Sequence, residues 1–302
     1  MAFHEFLGRA LHALAALPGA LPLGWQRALG RALGRLAVSL DLREARIARR
    51  NLELVAPELE APAREVLVRE ILQCTGANLM ETLRVWTHGR ADNLRLVRSV
   101  HGRERLAAAL AQGRGAIIAA PHFGNWELLV EYVAEQAPMS LVYRVPEKPA
   151  GDVFLRRARA GRDLTLVPAE SAAMRPLFRA LKAGELAGIT ADQQPKLGAG
   201  IFAPFFGRQA LTLTLVPKLA ERSGAPVLFA WAEPVAGGFD IFFEDAPAEI
   251  ADADTVRAAT AMNATVEAIA RRRMEWYQWT YKRFSKRPKD SGENNPYHPD
   301  CY

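Results

Sequence analysis

Only two cysteines, Cys74 and Cys301, occur in 302 residues, and their spacing makes neither a metal site nor a disulfide framework. Both read as incidental thiols of a reducing compartment. No Gly-x-x-x-x-Gly-Lys-Ser/Thr loop and no Gly-x-Gly-x-x-Gly fingerprint is present to cradle a nucleotide phosphate. A Gly-x-Ser-x-Gly elbow is also missing, and Ser171 and Ser223 lie in contexts that do not mark a nucleophile, which argues against an acyl-serine enzyme. His, Cys, Asp and Glu do not cluster at ligand spacing, so neither a metal nor another cofactor is expected. Long apolar runs are lacking too. Ala2 to Leu23 is apolar but broken by Glu5, Arg9, Pro18 and Pro22, whereas a spanning helix needs about 20 uninterrupted apolar residues. The basic leader and small-residue cleavage site of a signal peptide are not evident.

What is present describes a folded chain. Half the residues are hydrophobic and 24% are charged, enough to bury a core and too apolar for a disordered segment. The net charge of +6 and isoelectric point near 9.5 favour an acidic partner: anionic lipid, an acidic carrier protein or nucleic acid. In the first segment Phe3, Phe6, Leu7, Ala10, Leu11, Leu14 and Leu17 form one helical stripe. The stripe suits a helix lying in a membrane interface, or equally an amphipathic helix packed on its own domain. Trp25 to Leu40 forms a second helical run with Arg27, Arg31 and Arg35 four residues apart, and eight arginines stand against three acids through Arg50. Stacked arginines belong to a solvated face or to one meeting anionic headgroups. Ala61 to Trp86 reads as a long helix.

Beyond this helical region the pattern becomes alternating. A strand buried on both faces is expected for 115–121, and further strands for Ser140 to Val145, Leu164 to Val167, Leu186 to Thr190, Val227 to Glu233 and Phe239 to Glu244. Helices are expected for Leu128 to Gln136, Asp152 to Arg162, Ala173 to Ala183, Leu211 to Ser223 and Thr255 to Arg273. This order predicts an α/β fold: a mainly parallel sheet flanked by helices, with an N-terminal helical membrane-associating arm. Ligands in such folds bind beyond the carboxyl ends of the strands. His122 lies at one such end and Asp192 at another.

The segment Pro121-His122-Phe123-Gly124-Asn125-Trp126-Glu127 leaves a strand and opens a helix. Glu127, in the first turns of that helix, can swing back toward the imidazole. A carboxylate on one ring nitrogen fixes the tautomer and raises the basicity of the other, which can then take a proton from an attacking hydroxyl. A structural histidine after a strand has the same spacing, so this segment alone leaves both readings open.

A His-x-x-x-x-Glu sequence at a strand end resembles the signature of the glycerolipid acyltransferase superfamily. The chain resembles, within it, the bacterial lipid A late acyltransferases, the lauroyl/myristoyl transferase group. The resemblance rests on Arg49-Arg50-Asn51-Leu52 with Pro57-Glu58-Leu59, on Leu141-Val142-Tyr143-Arg144, and on Arg156 to Gly161. It continues through Thr190-Ala191-Asp192-Gln193-Gln194-Pro195, Phe202 to Gly207, and Tyr277 to Phe284 with Arg287-Pro288. It implies acyl transfer from a thioester, with acyl carrier protein as donor, to a hydroxyl of a lipid A precursor at the cytoplasmic face of the inner membrane. His122 would be the base, Glu127 its orienter, and Arg159 an electrostatic stabiliser. Arg144, Asp192 and Asn125 would join Arg159 in binding substrate. Anionic membrane lipid would be both acceptor and docking surface, and no nucleic acid is expected. Phe202, Phe205 and Phe206 would form core, a lid or an acyl-chain wall. Trp276, Tyr277, Trp279 and Tyr281 beside Lys282, Arg283, Lys286 and Arg287 would form an interfacial aromatic belt. The implied organisation is a helical membrane-associating region at 1–90, an acyltransferase domain at 91–289 and a loose polar tail at 290–302. The alternatives are another lipid acceptor (a lysophospholipid, lipoamino acid or glycolipid) or a membrane-surface binding protein in which His122 and Glu127 are dispensable.

Overall fold

The computed structural model describes residues 3–160, 163–169, 173–289 and 291–302. Ala2, Gly161, Arg162, Ser171 and Asp290, which figure in the expectations above, lie outside them. Five helices lead the chain: α1 (Phe3–Gly19), α2 (Leu23–Ser39), α3 (Arg43–Val55), α4 (Ala61–Thr87) and the short α5 (Arg90–Leu94). The alternating region follows as β1 (Val97–His101), α6 (Arg103–Ala111), β2 (Ala116–Ala120), α7 (Trp126–Gln136), β3 (Met139–Tyr143), α8 (Pro149–Ala158), β4 (Leu164–Pro168), α9 (Met174–Lys182) and β5 (Leu186–Thr190). A hairpin of β6 (Gly200–Phe205) and β7 (Arg208–Leu213) precedes α10 (Leu215–Ser223), β8 (Val227–Val235), β9 (Gly238–Asp245) and α11 (Thr255–Arg272).

The main sheet has seven strands in the order β1-β9-β8-β2-β5-β3-β4. Neighbours are parallel except β8 and β9, which pair antiparallel. The mainly parallel α/β architecture expected from the alternating pattern is therefore present. All five residues of β2 are buried, as a strand covered by helices on both faces requires. Core clusters lie on both faces of the sheet, one containing Ile117, Ala119 and Leu177, the other Ile118, Leu129 and Val133.

The sequence reading missed β1, α6 and the β6–β7 hairpin. Leu211 to Leu213 belongs to β7, and the helix expected from Leu211 begins only at Leu215. Phe206 and Gly207 make the two-residue turn, both with positive φ (50° and 71°). That geometry joins tight hairpins and is unusual for a phenylalanine. Phe205 and Phe206 are buried, consistent with their reading as core residues.

The N-terminal helices pack through small and polar residues. A Cβ on Gly30 would meet the carbonyl oxygen of Gly76 at 2.3 Å, and one on Gly34 would meet that of Leu72 at 2.1 Å. Glycine is what lets α2 lie against α4 at this distance. The apolar stripe of α1 faces outward instead: Phe3 is 78% exposed and Leu17 is 70% exposed. Trp25, Leu29, Leu33, Leu36 and Leu40 continue the exposed apolar surface along α2. A stripe packed on its own domain is thus excluded. The stacked arginines are redistributed as well, because Arg27 turns inward to Glu81 and Arg35 reaches Gln73. No single helix among the described residues is long and apolar enough to cross a membrane, although α1 and α2, bent by 106°, pass that test together.

The C-terminal stretch is docked rather than loose. Tyr297 and Cys301 are buried. The Tyr297 hydroxyl donates to Asn51 Oδ1 at 2.5 Å and accepts from the Phe284 peptide N–H at 3.1 Å. Arg50 holds the Pro296 carbonyl at 2.8 Å.

Candidate active site

The sheet register creates the site. β2 and β5 are adjacent and parallel, with Ala120 opposite Thr190. His122 and Asp192 each lie two residues beyond that pair, so they emerge together at the carboxyl edge. The Asp192 carboxylate accepts from the His122 peptide N–H at 2.7 Å and from the ring Nδ1 at 2.6 Å. Burial of Asp192 opposes ionisation, but the His122 charge and these two hydrogen bonds outweigh it and hold the carboxyl below its usual range. An ionised carboxylate only accepts, so Nδ1 carries a proton, and in the neutral ring Nε2 keeps a lone pair. Gln193 brings its side-chain nitrogen to 3.2 Å from that Nε2, and the same nitrogen donates to Gln278 Oε1 at 3.1 Å.

The chain returns across this edge near its C-terminus. The Gln278 peptide N–H donates to the His122 carbonyl at 3.0 Å, and the Gly124 N–H donates to the Trp276 carbonyl at 3.0 Å. Gly124 has φ +55°, and a Cβ there would lie 2.0 Å from the Ala232 carbonyl oxygen, so no other residue fits. The Tyr281 hydroxyl accepts from the Gln194 N–H at 3.0 Å. Burial, then the adjacent Asp192 charge, pushes the Tyr277 hydroxyl well above its ordinary pKa. Buried Arg283 donates to the Leu211 carbonyl at 2.6 Å and adds positive charge near Asp192. The expected aromatic belt is not an exposed one: Trp276, Tyr277 and Trp279 are buried, and Tyr281 is half-buried. Gln193, Tyr277 and Gln278 were not singled out from sequence as site residues, although all three lie in the quoted motifs.

Glu127 takes a different partner from the one its spacing suggested. It is buried in the first turn of α7 and accepts two hydrogen bonds from Arg159, at 3.2 and 2.5 Å. Arg159, one residue past α8, is only 5% exposed. Its guanidinium lies 5.1 Å from the Trp126 ring centre, and Trp126 packs edge-on to His122 at 5.6 Å. Arg159 Nη1 is buried without a partner among the described residues. Neighbouring Arg157 is exposed. Asn125 is fully buried as the N-cap of α7, its Oδ1 accepting from the Leu128 N–H at 3.0 Å, so it shapes the site from behind rather than facing the opening. Arg144 is exposed at the rim, 3.9 Å from Glu147, and close enough for its charge to act on Tyr281.

A buried carboxylate and an imidazole with a basic nitrogen at one strand edge, with a buried guanidinium across Trp126, suit proton removal from a hydroxyl beside a developing negative charge. Comparison with known proteins gives the family. Residues 3–286 match the family described as bacterial lipid A biosynthesis acyltransferase. The chain is 30% identical to a lipid A biosynthesis lauroyltransferase of Escherichia coli (strain K12), over 86% of this chain and 85% of that protein. It is 29% identical to a lipid A biosynthesis palmitoleoyltransferase of the same strain, covering 89% and 87% of the two chains. A phosphatidylinositol mannoside acyltransferase of Mycobacterium tuberculosis (strain CDC 1551 / Oshkosh) is 26% identical, over 64% and 63% of the two chains. The extent of these matches and the α/β fold establish that the chain belongs to the lipid A biosynthesis acyltransferase family, within the lysophospholipid/glycerolipid acyltransferase superfamily, and is an acyltransferase.

Proposed function

We propose that the protein moves a fatty acyl group from acyl carrier protein to a hydroxyl of a lipid A precursor at the cytoplasmic face of the inner membrane. The observation that carries this reading is the 2.6 Å contact between His122 Nδ1 and Asp192, which leaves Nε2 as the base. Nε2 takes the acceptor's hydroxyl proton as its oxygen attacks the thioester carbonyl. The C–S bond then breaks, and the imidazolium returns the proton to the departing sulfur. Arg159, gripped by Glu127, offers Nη1, which has no partner among the described residues, to the carbonyl oxygen as it becomes an oxyanion, or to an acceptor phosphate. In this reading Asp192 orients the base and Glu127 positions the arginine. Arg144 meets the anionic acceptor at the rim.

Membrane attachment in this proposal is peripheral. The exposed apolar face of α1 and α2 enters the interface, and the arginines of α2 contribute less than their spacing suggested. Release by carbonate or high salt supports this attachment, whereas retention in the pellet until detergent is added overturns it. His122→Ala should lower kcat/KM by about 10²–10⁴-fold while the thermal melt stays unchanged. A folded variant with near-normal turnover refutes the mechanism. Mass spectrometry of lipid extracts with the active protein and with His122→Ala identifies the acceptor. A second reading, a glycolipid acceptor other than a lipid A precursor, is favoured by the similarity to the mycobacterial acyltransferase. The same extracts distinguish the two, because the acylated species differ in headgroup mass.

A further inference from the structure

The base of this site is not open. Gln193 lies against it, and the side-chain nitrogen that reaches His122 Nε2 at 3.2 Å also donates to Gln278 Oε1 at 3.1 Å. The orientation of the amide follows from its neighbours. In the neutral ring His122 donates its Nδ1–H to Asp192, so Nε2 accepts and faces the nitrogen end of the glutamine. Both N–H groups of the amide are then used, one on the base and one on Gln278. The backbone of Gln193 is fixed because it directly follows buried Asp192, while its side chain is half-buried and borders the opening. The His122 side chain is 11% exposed.

We propose that Gln193 guards the base: its amide occupies the Nε2 lone pair in the resting enzyme, and only an acceptor hydroxyl bound well enough to displace it gains access to His122. This inference rests on the role of His122 proposed above and adds a control on which nucleophile is activated. Water reaches a half-open site in great excess over any lipid hydroxyl. Water activated by Nε2 attacks the thioester carbonyl, the C–S bond breaks, and the proton passes through the imidazole to the thiol. The donor is then lost as free fatty acid. An amide hydrogen bond of ordinary net strength favours the guarded arrangement over the open one by roughly tenfold. A lipid anchored elsewhere in the cleft can overcome that preference, because its binding to Arg159 and the rim brings its hydroxyl to Nε2. A single water has no such anchorage.

The test measures partition between the two products. The full-length protein is given acyl carrier protein thioester and a lipid A precursor in detergent micelles, and free fatty acid and acylated lipid are both quantified by mass spectrometry. Gln193→Ala should raise the ratio of free acid to acylated lipid about tenfold. Gln193→Asn, one methylene shorter, should raise it less. Gln278→Leu, which leaves the guard in place but removes its second anchor, should move the ratio in the same direction by a smaller factor. A purely structural role predicts that both products fall together with the ratio unchanged, and that outcome overturns the guard while leaving the base intact. Adding His122→Ala to Gln193→Ala must abolish the extra free acid. If the extra acid persists, water is activated elsewhere and the guard fails. Acyl transfer surviving in His122→Ala alone refutes the base, and the guard with it. Thermal melts confirm folding of each variant, and Gln278→Leu carries the test if Gln193→Ala does not fold.

Discussion

Two arginine–glutamate pairs in this molecule both bury their carboxylates and differ in what they leave free. Arg27 on α2 donates through Nε to Glu81 at 2.5 Å, through Nη1 to the Val235 carbonyl at 2.5 Å and through Nη2 to the Gly238 carbonyl at 2.8 Å. Every guanidinium nitrogen is used, and the helix that presents an apolar face outward is tied to the β8–β9 turn. Arg159 spends Nε and Nη2 on Glu127 and keeps Nη1 in reserve. In the first pair the atom without a partner among the described residues is the carboxylate oxygen Oε2 of Glu81. Spare capacity on a buried cation, beside a half-buried tryptophan that packs against the base, distinguishes a site residue from a fastening. Burial of the carboxylate alone, similar in both pairs, does not.

Removing both members of each pair separates these roles. Arg159→Met with Glu127→Leu should lower kcat/KM by about 10²–10³-fold, the loss typical of one missing oxyanion donor. Arg27→Met alone strands buried Glu81 and should destabilise the fold by about 3–5 kcal/mol. Adding Glu81→Leu should recover most of that loss, with the rate per folded molecule staying within about threefold of wild type. Denaturant melts and initial rates on the same preparations measure both quantities. Equal activity losses in the two double variants would erase the distinction between the pairs.

The carboxylates also differ in their response to pH. Burial, against the opposing Arg27, pushes Glu81 up to about 7. The folded state then binds a proton more readily than the unfolded one between the ordinary value of 4.5 and about 7. Glu81 therefore makes stability fall as pH rises through that window, with no further change above it. Asp192 has the opposite sign. Its folded pKa lies below 3.8, so its contribution is complete above that value and is lost as pH falls through the depressed pKa. Denaturant midpoints across pH 3–8 should show the first slope in wild type and not in the Arg27→Met/Glu81→Leu variant. A slope that survives in the variant assigns it to another group.

Much of this arrangement could be read from residue order. The apolar run Ala116–Ala120, all small or β-branched, identifies a doubly covered strand, and the shift to alternating segments near it gives a mainly parallel sheet. His122 and Arg159 came from local motifs read with a family resemblance. The partners did not, because a partner across strands depends on register. Glu127 is five residues from His122 in sequence, whereas Asp192 is seventy away and meets it only because Ala120 pairs with Thr190. The aromatic segment at 276–281 failed for a related reason. Trp, Tyr and basic residues in a row suit a membrane belt equally well, and only tertiary packing turns Trp279 inward. Along α2, arginine spacing located one helical face correctly, but Glu81 and two carbonyls decided that Arg27 points into the protein.

The smallest expected effect sharpens the contrast from within a single segment. Arg157 and Arg159 are two residues apart at the end of α8, where directions differ by about 200°. Arg157 is exposed, while Arg159 is buried against Glu127 and Trp126. Arg157→Ala therefore removes one solvated charge and leaves every hydrogen bond of the site in place. Its loss should be less than about threefold in initial rate, because an exposed charge acts weakly and is screened beyond about 10 Å at 0.1 M salt. The effect should shrink further at higher salt, since any attraction to an acidic donor or anionic lipid is long-range. Loss in Arg159→Ala should persist at both salt concentrations, because a short contact in a water-poor site is hardly screened. Initial rates with an acyl carrier thioester and lipid acceptor at low and high salt decide between them. Equal losses in the two variants, or a larger one at Arg157, would mean that the buried guanidinium only fastens α8 to α7 and that the site draws its positive charge from the surface.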